Sequence, residues 1–135
     1  MHDYTIMFII MIISGFLSNM NVYANNIDDI RFSINDLYMS LLMTGWMFLF
    51  MGLYYKQNNI IIYGLLLVVF SIFAIRNQFL VNQKQYILGM IPHHSMAVHM
   101  SKKLLDKKNN LKTFLKNIII NQSIELNYMK KILNN

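Results

Sequence analysis

Eleven residues, Met90-Ile-Pro-His-His-Ser-Met-Ala-Val-His-Met100, hold three of the four histidines, three of the twelve methionines and the only proline of this 135-residue chain. On a helix they occupy about three turns. Imidazole nitrogen is a borderline donor and thioether sulfur a soft one, so a mixed cluster suits copper or silver far better than magnesium or calcium. The chain has no cysteine, which excludes disulfides, thiolate metal sites and cysteine nucleophiles. Any soft ligand here is a methionine.

Two helices are needed to position such a cluster. Tyr86, Met90, His93, Ala97, Met100 and Leu104 follow a four-three alternation, the seam of a packed helix. Leu111, Leu115, Ile118, Gln122, Glu125, Met129 and Ile132 repeat it, and Asp106-Lys-Lys-Asn-Asn110 between them reads as a turn. The two segments are expected to fold back antiparallel. Counting outward from the turn sets Met100 at the level of Leu115 and Ile118, His93 at Gln122 and Glu125, and Met90 at Glu125 and Met129. Glu125 is the only glutamate of the chain. A charged residue at a core-facing position is rare unless it is paired or coordinates a metal, so the polar residues of the two seams meeting at one level point to a site. His94 projects about 100° from His93 on an ideal helix, so both reach one ion only if the backbone bends. Pro92, beside Gly89, predicts a kink or a fresh helix start, the latter adding N-terminal amides aimed at the site.

Ordinary roles compete with each of these. Adjacent histidines are often polar residues near a helix start, and Met90, Met100 and Met129 at core positions suit packing as well as ligation. Met39, Met43, Met47 and Met51 recur every four residues in an apolar helix. With no charged or imidazole residue joining them, they read as a packing face and not as a ladder for a soft cation.

Hydrophobic residues make up 56% of the chain and charged ones 13%, about half the charged share of an ordinary soluble domain, and mean hydropathy is +0.37. A membrane protein is implied. Three apolar stretches, about 4–24, 37–55 and 60–81, approach or exceed the twenty or so residues of a bilayer crossing. Lys56-Gln-Asn-Asn59 separates the last two, and Arg76 lies where a long side chain can snorkel. Val22-Tyr23-Ala24 would suit a signal-peptidase site, but no Lys or Arg precedes Ile6, so the first stretch reads as a retained helix. Residues 1–81 are thus expected to form a transmembrane region, and 82–135 a helical hairpin. The fold class is all-α.

The hairpin region carries nine lysines against Asp106 and Glu125, a formal +7, while the first 81 residues net to −1. Its lysines avoid both seams, as a solvated face requires. Anionic membrane lipid is the next partner to consider, and nucleic acid is not expected without an aromatic platform. No small-molecule substrate is suggested. An apolar flank, Phe114, Ile119, Leu126 and Leu133, raises the expectation of a homodimer, because about fifty residues bury little core alone.

Met90-Ile-Pro-His-His-Ser-Met-Ala-Val-His-Met100 closely resembles the signature of the bacterial "domain of unknown function 305" family. Gln122-Ser-Ile-Glu-Leu-Asn-Tyr-Met129 resembles its second motif, at the expected separation. The resemblance implies a ferritin-like helical hairpin or bundle, secreted or membrane-anchored, and some members bind copper in the periplasm. A subset carries three N-terminal membrane helices, a layout similar to this one. Carried over, the implied copper ligands are His93, His94, Met90, Met100, Glu125 and Met129, with Gln122 as a supporting partner. His99 departs from the family pattern, where that position is commonly acidic, and either leaves a ligand missing or substitutes a third imidazole.

No enzymatic reaction is expected. A di-iron site needs several glutamates, His-Glu-x-x-His and its inverse are absent, and Ser95 lies on a different helical face from the neighbouring histidines. The sequence therefore reads as a membrane-anchored soft-metal binder used in tolerance or delivery, or alternatively as a structural or interaction protein whose basic hairpin contacts lipid or a partner. Arg31 and Lys84 flank the hairpin side, which by short-range charge counting favours the cytoplasm. The family resemblance favours the extracytoplasmic side, and that is the side expected here.

Overall fold

Residues 3–134 are described by a computed structural model. Five α-helices, α1 (Tyr4–Leu17), α2 (Ile34–Tyr54), α3 (Asn58–Arg76), α4 (Gln83–Leu105) and α5 (Lys112–Asn134), are joined by two 3-10 turns at Met20–Tyr23 and Ile27–Asp29. The described residues include no strand, and the fold is all-α. The chain divides into two compact units. One holds α1, α2 and α3, and the other holds α4, α5 and the segment Met20–Ser33, here termed the strap.

In the first unit, helices meet through small residues. A Cβ on Gly64 would lie 2.5 Å from the Leu49 backbone nitrogen, and one on Gly45 would lie 2.9 Å from that of Val68. Glycine there lets the α2 and α3 backbones touch, as small residues do where helices pack closely. Gly15 meets Ser40 in the same way between α1 and α2. The methionine stripe lies beside this packing face and not on it: Ser40, Thr44, Phe48 and Gly52 are buried, whereas Met39 and Met43 are exposed and Met47 and Met51 half-buried.

Three helical stretches, Tyr4–Tyr23, Ile34–Tyr54 and Asn58–Arg76, are long and apolar enough to cross a membrane, with mean hydropathies of 1.8, 1.5 and 2.2. Their ends differ from the sequence expectation by a few residues. The third stops at Arg76 instead of continuing to Val81, because the Asn77 amide closes the helix on Phe73 and Gln78 and Leu80 adopt left-handed backbone. The spacer between the last two shortens as well. Lys56 turns the chain at φ 55°, the Gln57 amide donates to the Gly52 carbonyl, and α3 resumes at Asn58.

In the second unit, α4 and α5 form the expected antiparallel hairpin. The start of α4 packs on the end of α5: Ile87, Ile91, Leu126 and Met129 form the core, with Met90, Ile132 and Leu133 against it. Asn82 caps α4 by accepting from the Gln85 amide at 2.9 Å. Asn109 organises the turn, donating to the carbonyls of Leu104 and Lys107 and accepting from the Leu111 amide.

The expectation of a fresh helix start at Pro92 is corrected, for α4 runs without interruption from Gln83 to Leu105. A helix-interior proline costs about 3 kcal/mol or more. Complete burial of Pro92 and Ile91 helps to offset that. Gly89 has a packing role, since a Cβ there would lie 3.2 Å from Ser33 Oγ. It lets the strap run close to α4.

Candidate functional site

The face that α4 buries is one residue out of step with the expected seam. Ile87, Ile91, His94, Val98 and Ser101 are buried, keeping the four-three spacing, while Tyr86, His93 and Met100 are exposed. One residue is about 100° of rotation. Branched aliphatic side chains at 87, 91 and 98 fill the core, and Tyr86 and Met100 are left outside. On α5, Leu115, Ile118, Gln122, Met129 and Ile132 are at least half-buried as expected, but Leu126 takes the core position assigned to Glu125. Glu125 stands at the rim, its side chain 55% exposed.

This rotation exchanges the roles of the two adjacent histidines. His94 is 8% exposed and its Nδ1 lies 3.1 Å from Glu125 Oε2, whereas His93 faces solvent with its ring centroid 5.9 Å from that of His94. Nδ1 of His94 is buried and the carboxylate is out of line for a hydrogen bond, so the contact is an electrostatic one. Burial holds the His94 pKa below the usual 6.5; Glu125 pulls it partly back up, and His93 adds to the lowering. The imidazole is therefore held neutral near pH 7, the form that binds metals.

Met90, His94, Glu125 and Met129 line one open pocket together with Tyr86, Ile124 and Tyr128. It brings four of the six expected ligands together. Met100 and His99 are elsewhere, in a second open pocket with Tyr23, Ser101, Lys103, Leu104, Lys107 and Leu115. The expected level of Met100 beside Leu115 is kept, but it does not approach His94's pocket. Gln122 is half-buried and lines neither pocket. Among the described residues no three imidazole or carboxylate groups converge in a metal-binding arrangement. The first pocket offers one imidazole, one carboxylate and two thioethers.

Sequence reasoning missed the strap. Asp29 is fully buried, accepts a 2.6 Å hydrogen bond from Ser95 Oγ through Oδ2, and pairs through Oδ1 with Lys130 Nζ. Ser95 Oγ in turn accepts from the Asn25 amide at 2.8 Å, and Lys102 Nζ donates to Asn25 Oδ1. A buried carboxylate requires such partners. The signal available in the sequence was Asn25-Asn-Ile-Asp-Asp29, a polar run between apolar stretches, but nothing local reveals that it lies against residues 66 and 101 positions further on.

Residues 78–133 match the family model described as "Domain of unknown function (DUF305)". The chain is also 40% identical over 135 residues to "Uncharacterized protein L153" of Acanthamoeba polyphaga mimivirus, covering 95% of this chain and 89% of that protein. The chain belongs to this family of unknown function. No solved structure matches it.

Proposed function

We propose that the protein is a membrane-anchored binder of a soft metal ion, copper(I) foremost, serving tolerance or delivery. The observation that carries this is the pairing of a nine-tenths-buried His94 with Glu125 in a pocket that Met90 and Met129 also line. Thioethers with neutral imidazole form a soft donor set. A carboxylate beside one ring nitrogen supplies negative charge next to the ring, and a modest turn of the Glu125 side chain would convert the contact into the carboxylate hydrogen bond usual behind a metal-binding histidine. In this reading Nδ1 faces Glu125, and Nε2 with the two sulfurs takes the ion.

Anchoring is supported by the surface of the first unit. On α3, Gly64, Val68, Ser71 and Ala74 are buried while Ile62, Leu65, Leu66, Val69, Phe70 and Phe73 are exposed. So large an apolar surface suits lipid and not water. We place the hairpin on the extracytoplasmic side, where the family resemblance puts copper handling. Half of the flank first considered for a dimer is used internally, because Leu126 and Leu133 belong to the hairpin's own core, while Phe114 remains exposed. Ile120, Ile124 and Tyr128, exposed at four-residue spacing, are a better face for a second copy. Crosslinking that yields only monomer counts against it.

A second reading, an interaction module for anionic lipid, draws on the other pocket, where Tyr23, Met100 and Leu104 lie beside Lys103 and Lys107. Competition between the purified protein and a copper(I) chelator separates the readings. Wild type is expected to hold copper(I), and His94→Ala and Glu125→Ala to hold it more weakly, with His93→Ala unchanged. If wild type competes no better than the His94→Ala, Glu125→Ala double variant, the metal reading is wrong.

A further inference from the structure

Of the groups that the proposed site does not use, the buried Asp29 cluster is the most fully built. Its carboxylate has zero exposure and touches both helices of the hairpin: Oδ2 accepts a hydrogen bond from Ser95 Oγ on α4, and Oδ1 pairs with Lys130 on α5. Ser95 is also fully buried, donating to Asp29 and accepting from the Asn25 amide. Those two helices carry the two halves of the pocket. Ser95 directly follows His94, and Lys130 directly follows Met129 and lies five residues after Glu125.

Adjacent positions on a helix point about 100° apart, so tying Ser95 to the strap fixes the direction of His94. The alternative rotation is an available one. Tyr86, Met90, His93, Ala97 and Met100 repeat the same spacing and would present His93 to α5 in place of His94. Burial of Ile87, Ile91 and Val98 favours the observed face, but the other, with Tyr86, Met90 and Met100, is largely apolar too, so burial alone separates the two less sharply than a buried polar contact does. Hydrogen bonds to a buried carboxylate discriminate more sharply, because turning α4 by one residue would strip Asp29 Oδ2 of its 2.6 Å bond from Ser95 and leave it only the long 3.5 Å contact from Asn26 Nδ2.

We propose that Asp29, Ser95 and Lys130 are positioning residues for the His94–Glu125 pocket, the strap carboxylate selecting the rotation of α4 that turns His94 toward α5. The role deepens the metal reading and rests on it for its purpose. Its geometric content is independent of any metal.

The absence of cysteine makes a direct test possible in the full-length protein in detergent or nanodiscs. Val98→Cys, on the buried face at 2% exposure, is expected to resist a thiol reagent, and His93→Cys, exposed, to react rapidly. Introducing Ser95→Ala or Asp29→Asn is expected to raise labelling at 98 and lower it at 93, the reciprocal signature of rotation. Asp29→Glu, which keeps the carboxylate, should retain more of the original pattern than Asp29→Asn. Copper(I) affinity, measured with His93 and Val98 native, should fall about 10- to 100-fold in Ser95→Ala, the usual loss when the support of a ligand is removed. Unchanged labelling overturns the proposal, and so does a rise at both positions, which is loosening and not rotation. Reciprocal labelling in a protein whose wild type fails to hold copper(I) upholds the positioning role and defeats the metal reading alone.

Discussion

The two pockets of the hairpin each contain an imidazole and a thioether, yet their chemistry is opposite. His94 and Met90 share theirs with Glu125 and with Met129 of α5, under a packed core of Ile87, Ile91 and Leu126. His99 and Met100 share theirs with Lys103 and Lys107, near a turn where Leu104, Leu111 and Phe114 remain exposed. A carboxylate beside imidazole favours a cation, and two ammonium groups repel one. One eleven-residue motif is thus divided between a pocket that holds a carboxylate and one that holds two ammonium groups, and what divides it is Glu125 with Met129 from α5 at one end and Lys103 with Lys107, from the end of α4 and its turn, at the other.

The largest expected contrast is in stability. Lys130→Met leaves the buried Asp29 carboxylate without its cation and should cost about 3–5 kcal/mol, nearer the low end because the Lys130 side chain is 27% exposed. Lys103→Met at the other pocket should change stability by less than about 0.5 kcal/mol. Denaturation of both variants in detergent, followed by tryptophan-independent circular dichroism, measures the difference; equal losses would erase it.

Core packing gives a similar contrast. Ile91→Ala opens a cavity in a fully buried position and should cost about 2–5 kcal/mol. Leu104→Ala, at 39% exposure, should cost about 1 kcal/mol or less. If Leu104→Ala proves as damaging as Ile91→Ala, the second pocket is as well packed as the first and the comparison fails.

For metal binding, His94→Ala should weaken copper(I) retention about 100-fold and His99→Ala less than about twofold, on the scale usual for removing a ligand or its support. Competition against a chromogenic chelator reads both. Equal losses would mean that both ends of the motif bind.

The smallest effect is the pH dependence. The folded pKa of His94 lies below its unfolded value near 6.5, so the unfolded chain binds the proton more readily and stability rises with pH across that window. The contribution is complete above pH 6.5 and is lost as pH falls through the folded pKa. Melting temperature followed from about pH 8 to pH 5 should drop in wild type more steeply than in His94→Gln. Parallel curves would remove the buried-histidine account.

Much of the architecture was legible in the sequence because it follows from local pattern. Long apolar runs must be helices if their backbone groups are to be satisfied, and Asp106–Asn110 could only be a turn, so the antiparallel hairpin and the level of Met90 with Glu125 and Met129 followed by counting. The face was not legible. Tyr86, Met90, His93 and Ile87, Ile91, His94 satisfy the same period, and a helix offers both until something packs on it. Glu125 misled for a related reason: a lone glutamate in an apolar seam reads as buried, but a long side chain can leave the core at the rim while its charge stays near a buried partner.

The sequence by itself determined that this is an all-helical chain of unusually apolar composition, with a thiol-free histidine and methionine cluster at the level of a single glutamate. Those properties reside in residue types and in short periods. Tertiary structure alone decided that His94 and not His93 meets Glu125, that Met100 and His99 belong to another pocket, and that Asp29 holds the hairpin from 66 residues before Ser95. Helix rotation is set by burial and hydrogen bonding to distant segments, and such partners leave no periodic trace in the chain they hold.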